Sequence, residues 1–435
     1  MKTRPLFIIL FLIALLCIAL KDGVGFIFSI FFTILIYILV CGETEDKRFI
    51  AMVFMLAFFA RVVLAYAFHM KAYNDGFGGF LFGDDRLYSL RALKMSLIWR
   101  HLPYNTIADV SGESYGANPF TTILALYYRF FDPNYFDSKM INCLIGSVTP
   151  LFVYYIGRKL FSPVTGKMAL VLTAFYPSMV QWSISNLKDP VTILYITALF
   201  YLLLNLKRDI FVFLKLCLMF FIIYQLRGLQ PLHFWIISAT FAVFIFYVIS
   251  KFFKDRLLTF FLSSFAIAYS FVLVNLQKEK ILKDLTVLID IQKGMGLADN
   301  AGYFIYSEQL LRNIRNGILD MPGLLYAQIK GIIYFLFSPF PWKISSFNQL
   351  IAYPQIILWY FLIFFAAIGM LEGAKRSRDK IVFAAIFIFV GTALFALGEG
   401  NSGSAFRHRD YFAPLVFIFS SMGIQKIFFK MPGDR

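Results

Sequence analysis

Charge is scarce in this chain. Of its 435 residues only 15% are Asp, Glu, Lys or Arg, while 60% are hydrophobic, 19% are aromatic and the mean hydropathy is +0.73. A soluble domain carries roughly 25% charged residues, so the composition describes an integral membrane protein. Acids are scarcer still, with 25 Asp and Glu against 41 Lys and Arg and a net charge of +16. Such an excess suits nucleic acid only when it forms one patch. Here the basic residues lie between apolar runs, as topology signals and lipid-headgroup contacts, and no nucleic-acid partner is expected. Cysteine and histidine number four each. Cys17, Cys41, Cys143 and Cys217 sit in or at the ends of apolar runs without CxxC spacing, which argues against a disulfide framework or thiolate metal site. His69, His101, His233 and His408 show no metal-ligand spacing. No small-x-small cleavage site follows the N-terminal apolar run, so it counts as the first span and not as a signal peptide.

What is abundant is long apolar runs. Residues 5–20 and 25–41 form a helical hairpin, and a third span over 49–68 carries Arg61, which must face protein or water because a charge in lipid is costly. Further spans are expected at 139–155, 168–182, 191–206, 210–224, 231–249, 257–274, 351–371, 381–397 and 411–428. The expected fold is all-α and polytopic, with about 12 spans at ~20 residues each. It divides into an N-terminal hairpin (1–48), a transmembrane core (49–274) containing a first long loop (69–136), a second long loop (275–350) and C-terminal spans (351–435). In the first loop, leucines recur at helical spacing over 85–102, which predicts an amphipathic interfacial helix, and 120–131 predicts a second one. The stretch 324–340 is read as re-entrant or interfacial. If it crossed the bilayer, the basic linker GAKRSRDK would move outside, against the positive-inside pattern.

This parity places both long loops outside and brings Asp84, Asp85, Lys188, Asp189, Arg227, Glu399, Arg407, His408 and Arg409 to the extracytoplasmic side. The acidic pair lies in FLFGDDRLY, residues 80–88. A carboxylate near a bilayer surface can take a proton from an attacking hydroxyl, and cations can hold a departing phosphate. Each residue also has a plainer role. Asp84 and Asp85 suit a helix N-cap and first turn, and Asp189-Pro190 suits a span start. Arg61 suits a buried ion pair, and Arg407 to Arg409 suit headgroup anchors. The Gly76–Gly79 stretch lacks the strand-to-helix context of a phosphate-binding loop.

The Arg-bearing early span, the GDDRLYSLRALKMS loop and the NPF segment resemble polyprenyl-phosphate-sugar-dependent glycosyltransferases of the GT-C type, which include protein O-mannosyltransferases and lipid A aminoarabinose transferases. The likeness runs on through IGRKLFSPVTGKMALVLTAFYPSMVQWSISNLKDPVTIL, SPFPW and EGNSGSAFRHRDYFAPLVFIFSSMGI, and so covers roughly residues 49 to 428. The two spans ahead of the Arg-bearing one depart from the family pattern. The resemblance implies inverting sugar transfer, at the outer face of a bacterial or archaeal cell membrane, from a polyprenyl-phosphate donor to a glycan, lipid or protein acceptor. It implies Asp84 or Asp85 as base or as ligands of a divalent cation (Mg or Mn), and Lys188, Asp189, Arg407, His408 and Arg409 as donor-phosphate or substrate contacts; Arg61 and Arg227, placed by the span and loop reading, are expected to join those contacts. An O-antigen-type polymerase or ligase would also use outside arginines, though in later loops. A flippase or transporter would show internal repeats, which this sequence lacks. If the topology holds, Leu87→Cys is labelled by a membrane-impermeant thiol reagent from outside intact cells. Labelling from the cytoplasmic side only would overturn the arrangement.

Overall fold

The computed structural model describes residues 45–102, 118–131, 133–206, 210–229, 278–297, 302–316, 318, 320–343 and 347–429, with 31, 34 and 36. Apart from 31, 34 and 36, the expected hairpin at 5–41 lies outside them, as do the expected spans at 231–249 and 257–274. Among the described residues the elements are helices, with one isolated antiparallel bridge between Gly302 and Asn401. Four of these helices are long and apolar enough to cross a membrane, and a fifth span forms if a bent pair near the C-terminus is counted as one.

Two compact units emerge, the first from residues 1–231, 364–376 and 413–435, the second from 232–363 and 377–412. In the first unit the helices are α1 (Glu45–Asn74), α2 (Gly83–Trp99), α3 (Pro119–Phe130), α4 (Tyr135–Leu160), α5 (Pro163–Phe175), α6 (Pro177–Ser183), α7 (Asp189–Leu204), α8 (Val212–Leu229) and α14 (Ala413–Phe428). The second unit holds α9 (Lys278–Leu297), α10 (Glu308–Arg315), α11 (Met321–Phe337) and α13 (Ser402–His408). Helix α12 (Phe347–Gly398) supplies segments to both.

Helix α4 is the hub of the first unit and packs against α1, α5, α6, α7 and α14. The core includes Phe54, Phe58 and Val62 of α1, Met140 and Tyr154 of α4, and Leu170 and Ala174 of α5. Polar groups also hold it: Gln425 Oε1 of α14 accepts hydrogen bonds from Ser162 Oγ (2.8 Å) and Thr165 Oγ1 (2.6 Å) at the start of α5. In the second unit Ile289, Ile305, Leu310, Leu311, Ile314 and Ala327 are buried together.

Four expected spans take a different form. The run 168–182 is broken at Tyr176, where Pro177 opens α6. A proline cannot donate the next helical hydrogen bond, and it disfavours helical ψ in the residue before it. Tyr176 accordingly has ψ 124°. The run 411–428 opens on a 3₁₀ turn at Arg409–Tyr411, and α14 begins only at Ala413. The basic linker between the expected spans 351–371 and 381–397 is helical and continuous with α12. The two interfacial helices of the first loop form as α2 and α3. Asn118 caps α3 by accepting from the Thr121 amide (2.9 Å), with Pro119 at its first turn. On α2 the buried stripe is Tyr88, Ser89, Ala92 and Ser96, and the leucines lie half-exposed. Arg100 donates to the Tyr128 and Arg129 carbonyls while Arg129 donates to Trp99, which locks the ends of α2 and α3 together.

Within the first unit, residues 364–376 of α12 cross α14 at two glycines. A Cβ on Gly369 would lie 1.9 Å from the Phe419 carbonyl oxygen, and one on Gly423 2.0 Å from that of Phe365. Close backbone approach through small residues is a means of association between helices in lipid. Gly369→Ala and Gly423→Ala are each expected to cost ~1–3 kcal/mol through overpacking. Thermal unfolding in detergent checks this against Gly83→Ala, where nothing lies within 4 Å. Equal melting temperatures for all three variants would remove the close crossing.

Candidate functional site

The stretch between α1 and α2 turns through Gly76, Gly78 and Gly79, with φ of 81°, 61° and 84°. These left-handed values suit glycine alone at low cost. At Gly79 a Cβ would also lie 2.2 Å from the His69 ring. This sharp turn aims the Gly79 carbonyl at Lys139 of α4, whose Nζ donates to it at 2.5 Å. Lys139 Nζ also lies 3.6 Å from Asp85 Oδ2, and neither side chain is exposed. A buried charge persists only when it is paired and hydrogen-bonded. Asp85 meets both conditions: Oδ2 accepts the Leu81 amide at 3.0 Å and Oδ1 the Asn186 amide at 3.0 Å. The first of these bonds reaches back from the third residue of α2 to the chain just before it, in the manner of a capping box.

Asn186 extends the network. Its Nδ2 donates to Ser89 Oγ (3.0 Å) on α2 and Ser138 Oγ (2.8 Å) on α4, and Ser138 Oγ lies 3.0 Å from the Tyr128 hydroxyl of α3. Burial pushes the Tyr128 phenol above its usual range, against the lowering effect of the Ser138 hydrogen bond, so it stays a neutral hydroxyl. Asn142 Nδ2 holds the Ser185 and Leu187 carbonyls at 2.6 and 2.8 Å. The segment 184–187 that precedes Lys188 is thereby tied to the α2 N-terminus. Asp189 is buried at the start of α7 and Lys188 is half-buried just ahead of it. Asp84, beside Asp85, is half-buried in the first turn of α2, where the helix dipole favours an acid. A groove of about 490 Å³ opens next to it, lined by Gly76, Phe77, Phe80, Leu81, Phe82 and Arg86.

The other expected residues fall elsewhere. Arg61 is buried, with Nε donating to Ser183 Oγ (2.9 Å) and Nη1 to the Ala174 (2.8 Å) and Ala57 (3.1 Å) carbonyls, a clamp between α1 and the α5–α6 break. Arg227 is exposed and lines a groove of about 560 Å³ with Pro119, Leu126, Tyr195 and Phe221.

In the second unit His408 Nδ1 pairs with Glu399 Oε1, and Ser404 Oγ donates to Glu399 Oε2 at 2.5 Å. Arg407 is half-buried. Arg409 is fully buried: its Nη1 donates to the Ser338 carbonyl at 2.9 Å, and its guanidinium lies 4.5 Å from the Phe406 and 5.2 Å from the Trp359 ring centres. Burial and the neighbouring Glu399 carboxylate hold the Tyr303 phenol above its usual range.

Lys139, Asn186, Ser138 and His69 were not legible as site residues in the sequence. The one available signal was Lys139, a charge near the start of the apolar run 139–155, which demands a buried partner. The acidic pair does not fit a shared divalent cation. Both oxygens of Asp85 already accept amide hydrogens and one faces an ammonium, so a cation would have to displace all three. Among the described residues no group of His, Cys, Asp or Glu has the geometry of a metal site.

No protein-family model and no curated protein matches the chain. Among solved structures it is similar to the apo-form Archaeoglobus fulgidus oligosaccharyltransferase, with TM-score 0.47, 15% identity, and coverage of 86% of this chain and 50% of that one. It is also similar to the archaeal oligosaccharyltransferase AglB from Archaeoglobus fulgidus in complex with an inhibitory peptide and a dolichol-phosphate, with TM-score 0.46, 14% identity, and coverage of 79% and 46%. The chain spans about half the length of these structures.

The buried pair makes a checkable claim about stability. Lys139→Met strands the Asp85 carboxylate and is expected to cost about 3–5 kcal/mol, whereas Asp85→Asn combined with Lys139→Met recovers part of that loss. Chemical unfolding of both single variants and the double variant tests it. Strictly additive losses would show that the pair is not coupled.

Proposed function

We propose that the chain is a membrane glycosyltransferase of GT-C type that moves a sugar from a polyprenyl-phosphate donor to an acceptor hydroxyl at the extracytoplasmic face, with inversion. The observation that carries the reading is the division of labour within the acidic pair. Asp85 is fixed by Lys139 and two backbone amides, so it anchors the start of α2. Asp84 then stands half-buried in the first turn of a rigidly held helix, one residue after Gly83, which lines the groove together with Phe77, Phe80, Phe82 and Arg86.

In this reading the acceptor hydroxyl hands its proton to Asp84 as its oxygen bonds to the anomeric carbon. The bond from that carbon to the phosphate oxygen breaks, and the phosphate leaves with the electron pair. A single displacement inverts the anomeric centre. The leaving phosphate needs cations and no proton, a role assigned to Arg86 at the groove and to Lys188 and Arg227 of the same unit. Asp189 is assigned to the same substrate region. Arg61, which donates to the Ser183 hydroxyl and the Ala174 carbonyl, and Arg409, which donates to the Ser338 carbonyl, are assigned to the framework instead. The order of the motifs GDDRLY, NPF, LKDP, SPFPW and FRHRDY supports the family, and the apolar helices support a membrane location.

Sugar transfer from a radiolabelled polyprenyl-phosphate donor in proteoliposomes tests the assignment. Asp84→Asn is expected to lower the rate by ~10²- to 10⁴-fold, the usual worth of a general base, with unchanged melting temperature. Asp85→Asn should lower the melting temperature as well as the rate. Full activity in both variants, with activity abolished by Arg407→Ala, would replace the acid-pair mechanism with a polymerase or ligase that relies on later basic residues.

A further inference from the structure

We propose that the joined C-terminal ends of α2 and α3 form a docking site, built on Arg100 and Arg129, for the phosphate headgroup of an anionic phospholipid of the surrounding bilayer. The two helices run side by side in the same direction. Near their starts the rings of Tyr88 and Phe120 meet edge-on, 5.8 Å between centres. At their ends Arg100 donates from Nη2 to the Tyr128 carbonyl at 2.7 Å and from Nε to the Arg129 carbonyl at 3.0 Å, while Arg129 Nη1 donates to the Trp99 carbonyl. Each guanidinium therefore serves last-turn carbonyls of the neighbouring helix, groups that lack partners within their own helix and carry the negative end of its dipole. Those carbonyls offset the repulsion between two like charges held in one cluster.

The arrangement leaves donors over. Among the described residues, Arg100 Nη1 and Arg129 Nε and Nη2 have no protein acceptor, and no carboxylate pairs with either guanidinium. Arg129 is exposed and Arg100 half-buried. A guanidinium binds phosphate through two parallel hydrogen bonds, so the spare donors suit that group. The same chain ends present apolar side chains: Ile98 and Leu102 beside Arg100, and Leu126 and Phe130 beside Arg129, are exposed, Phe130 by 72%. Cations interleaved with exposed aliphatic and aromatic groups match a bilayer surface, where phosphates overlie acyl chains. A soluble anion would use the arginines and leave the apolar groups in water.

The site also lies at the right depth. Helix α4, long and apolar enough to cross a membrane, begins at Tyr135, a short loop after Phe130. The Tyr128 hydroxyl lies 3.0 Å from Ser138 Oγ, which holds the last turn of α3 beside the first turn of α4. The arginines therefore stand where a membrane-crossing helix enters the bilayer, at the level of the headgroups. The glycosyl donor of the transfer reading is a different lipid in a different place. Arg100 follows Asp84 by 16 residues along α2, about 24 Å of helix at ~1.5 Å per residue. A sugar bonded to a phosphate at Arg100 would be out of reach of a hydroxyl at Asp84.

The test is native mass spectrometry of the full-length protein in detergent, titrated with dioleoylphosphatidylglycerol or dioleoylphosphatidylcholine and with no glycosyl donor present. The wild type is expected to bind phosphatidylglycerol more tightly than phosphatidylcholine. Arg129→Gln should weaken the tightest-bound phosphatidylglycerol about tenfold and leave phosphatidylcholine unchanged. Arg129→Lys, which keeps the charge and loses the fork, should fall between Arg129→Gln and the wild type. It also keeps the measurement decisive if Arg129→Gln lowers the melting temperature. Lys343→Gln, which removes an exposed cation of the second unit, should bind as the wild type does. Equal wild-type affinity for the two lipids overturns the proposal. So does wild-type phosphatidylglycerol affinity in Arg129→Gln, or an equal loss in Lys343→Gln. Displacement of phosphatidylglycerol by equimolar polyprenyl phosphate would give the site to the donor lipid and overturn the phospholipid assignment.

Discussion

The ion pair between Asp85 and Lys139 is the constraint on which the first unit depends. Two charges with no exposure cost several kcal/mol each to desolvate, and that cost is offset only when every remaining lone pair and proton finds a partner. Here the partners come from four places in the chain: the Gly79 turn, the Leu81 amide, the Asn186 amide and His69. Satisfying one pair therefore fixes the first loop, the start of α4 and the turn before α7 relative to each other. The same bonds hold the first turn of α2, and with it Asp84.

The second unit buries a charge as well. Arg409 is buried, with backbone carbonyls and two aromatic faces against it, an arrangement suited to a planar and weakly hydrated guanidinium. Its neighbour in sequence, His408, pairs with a buried glutamate and keeps its side chain 18% exposed. Two adjacent basic residues thus have opposite fates, one inside the framework and one at its edge.

Broken helices mark both halves of the chain. The Tyr176–Pro177 break exposes the Ala174 carbonyl to Arg61, so a charge inside an apolar helix and a gap in a neighbouring helix answer each other. Neither is intelligible alone. An arginine in α1 without that gap would be an unpaired charge, and a gap without the arginine would leave carbonyls unsatisfied.

The sequence by itself determined the class of protein, because composition and long apolar runs are local quantities that any bilayer protein must show. It also located α2 and α3, whose caps and prolines act within a few residues, and it singled out GDDRLY as the acidic centre of the first loop. What it left open was which aspartate is structural, and it left Lys139 unassigned as Asp85's counter-ion. That pairing joins positions 54 residues apart, and the Asn186 amide joins it from 101 residues away. Periodicity and capping rules reach only one or two helical turns. The fates of Arg61 and Arg409 were undecided for the same reason: a basic residue in an apolar segment announces that it needs a partner, and only tertiary packing decides whether that partner is a carbonyl, a carboxylate or a ligand.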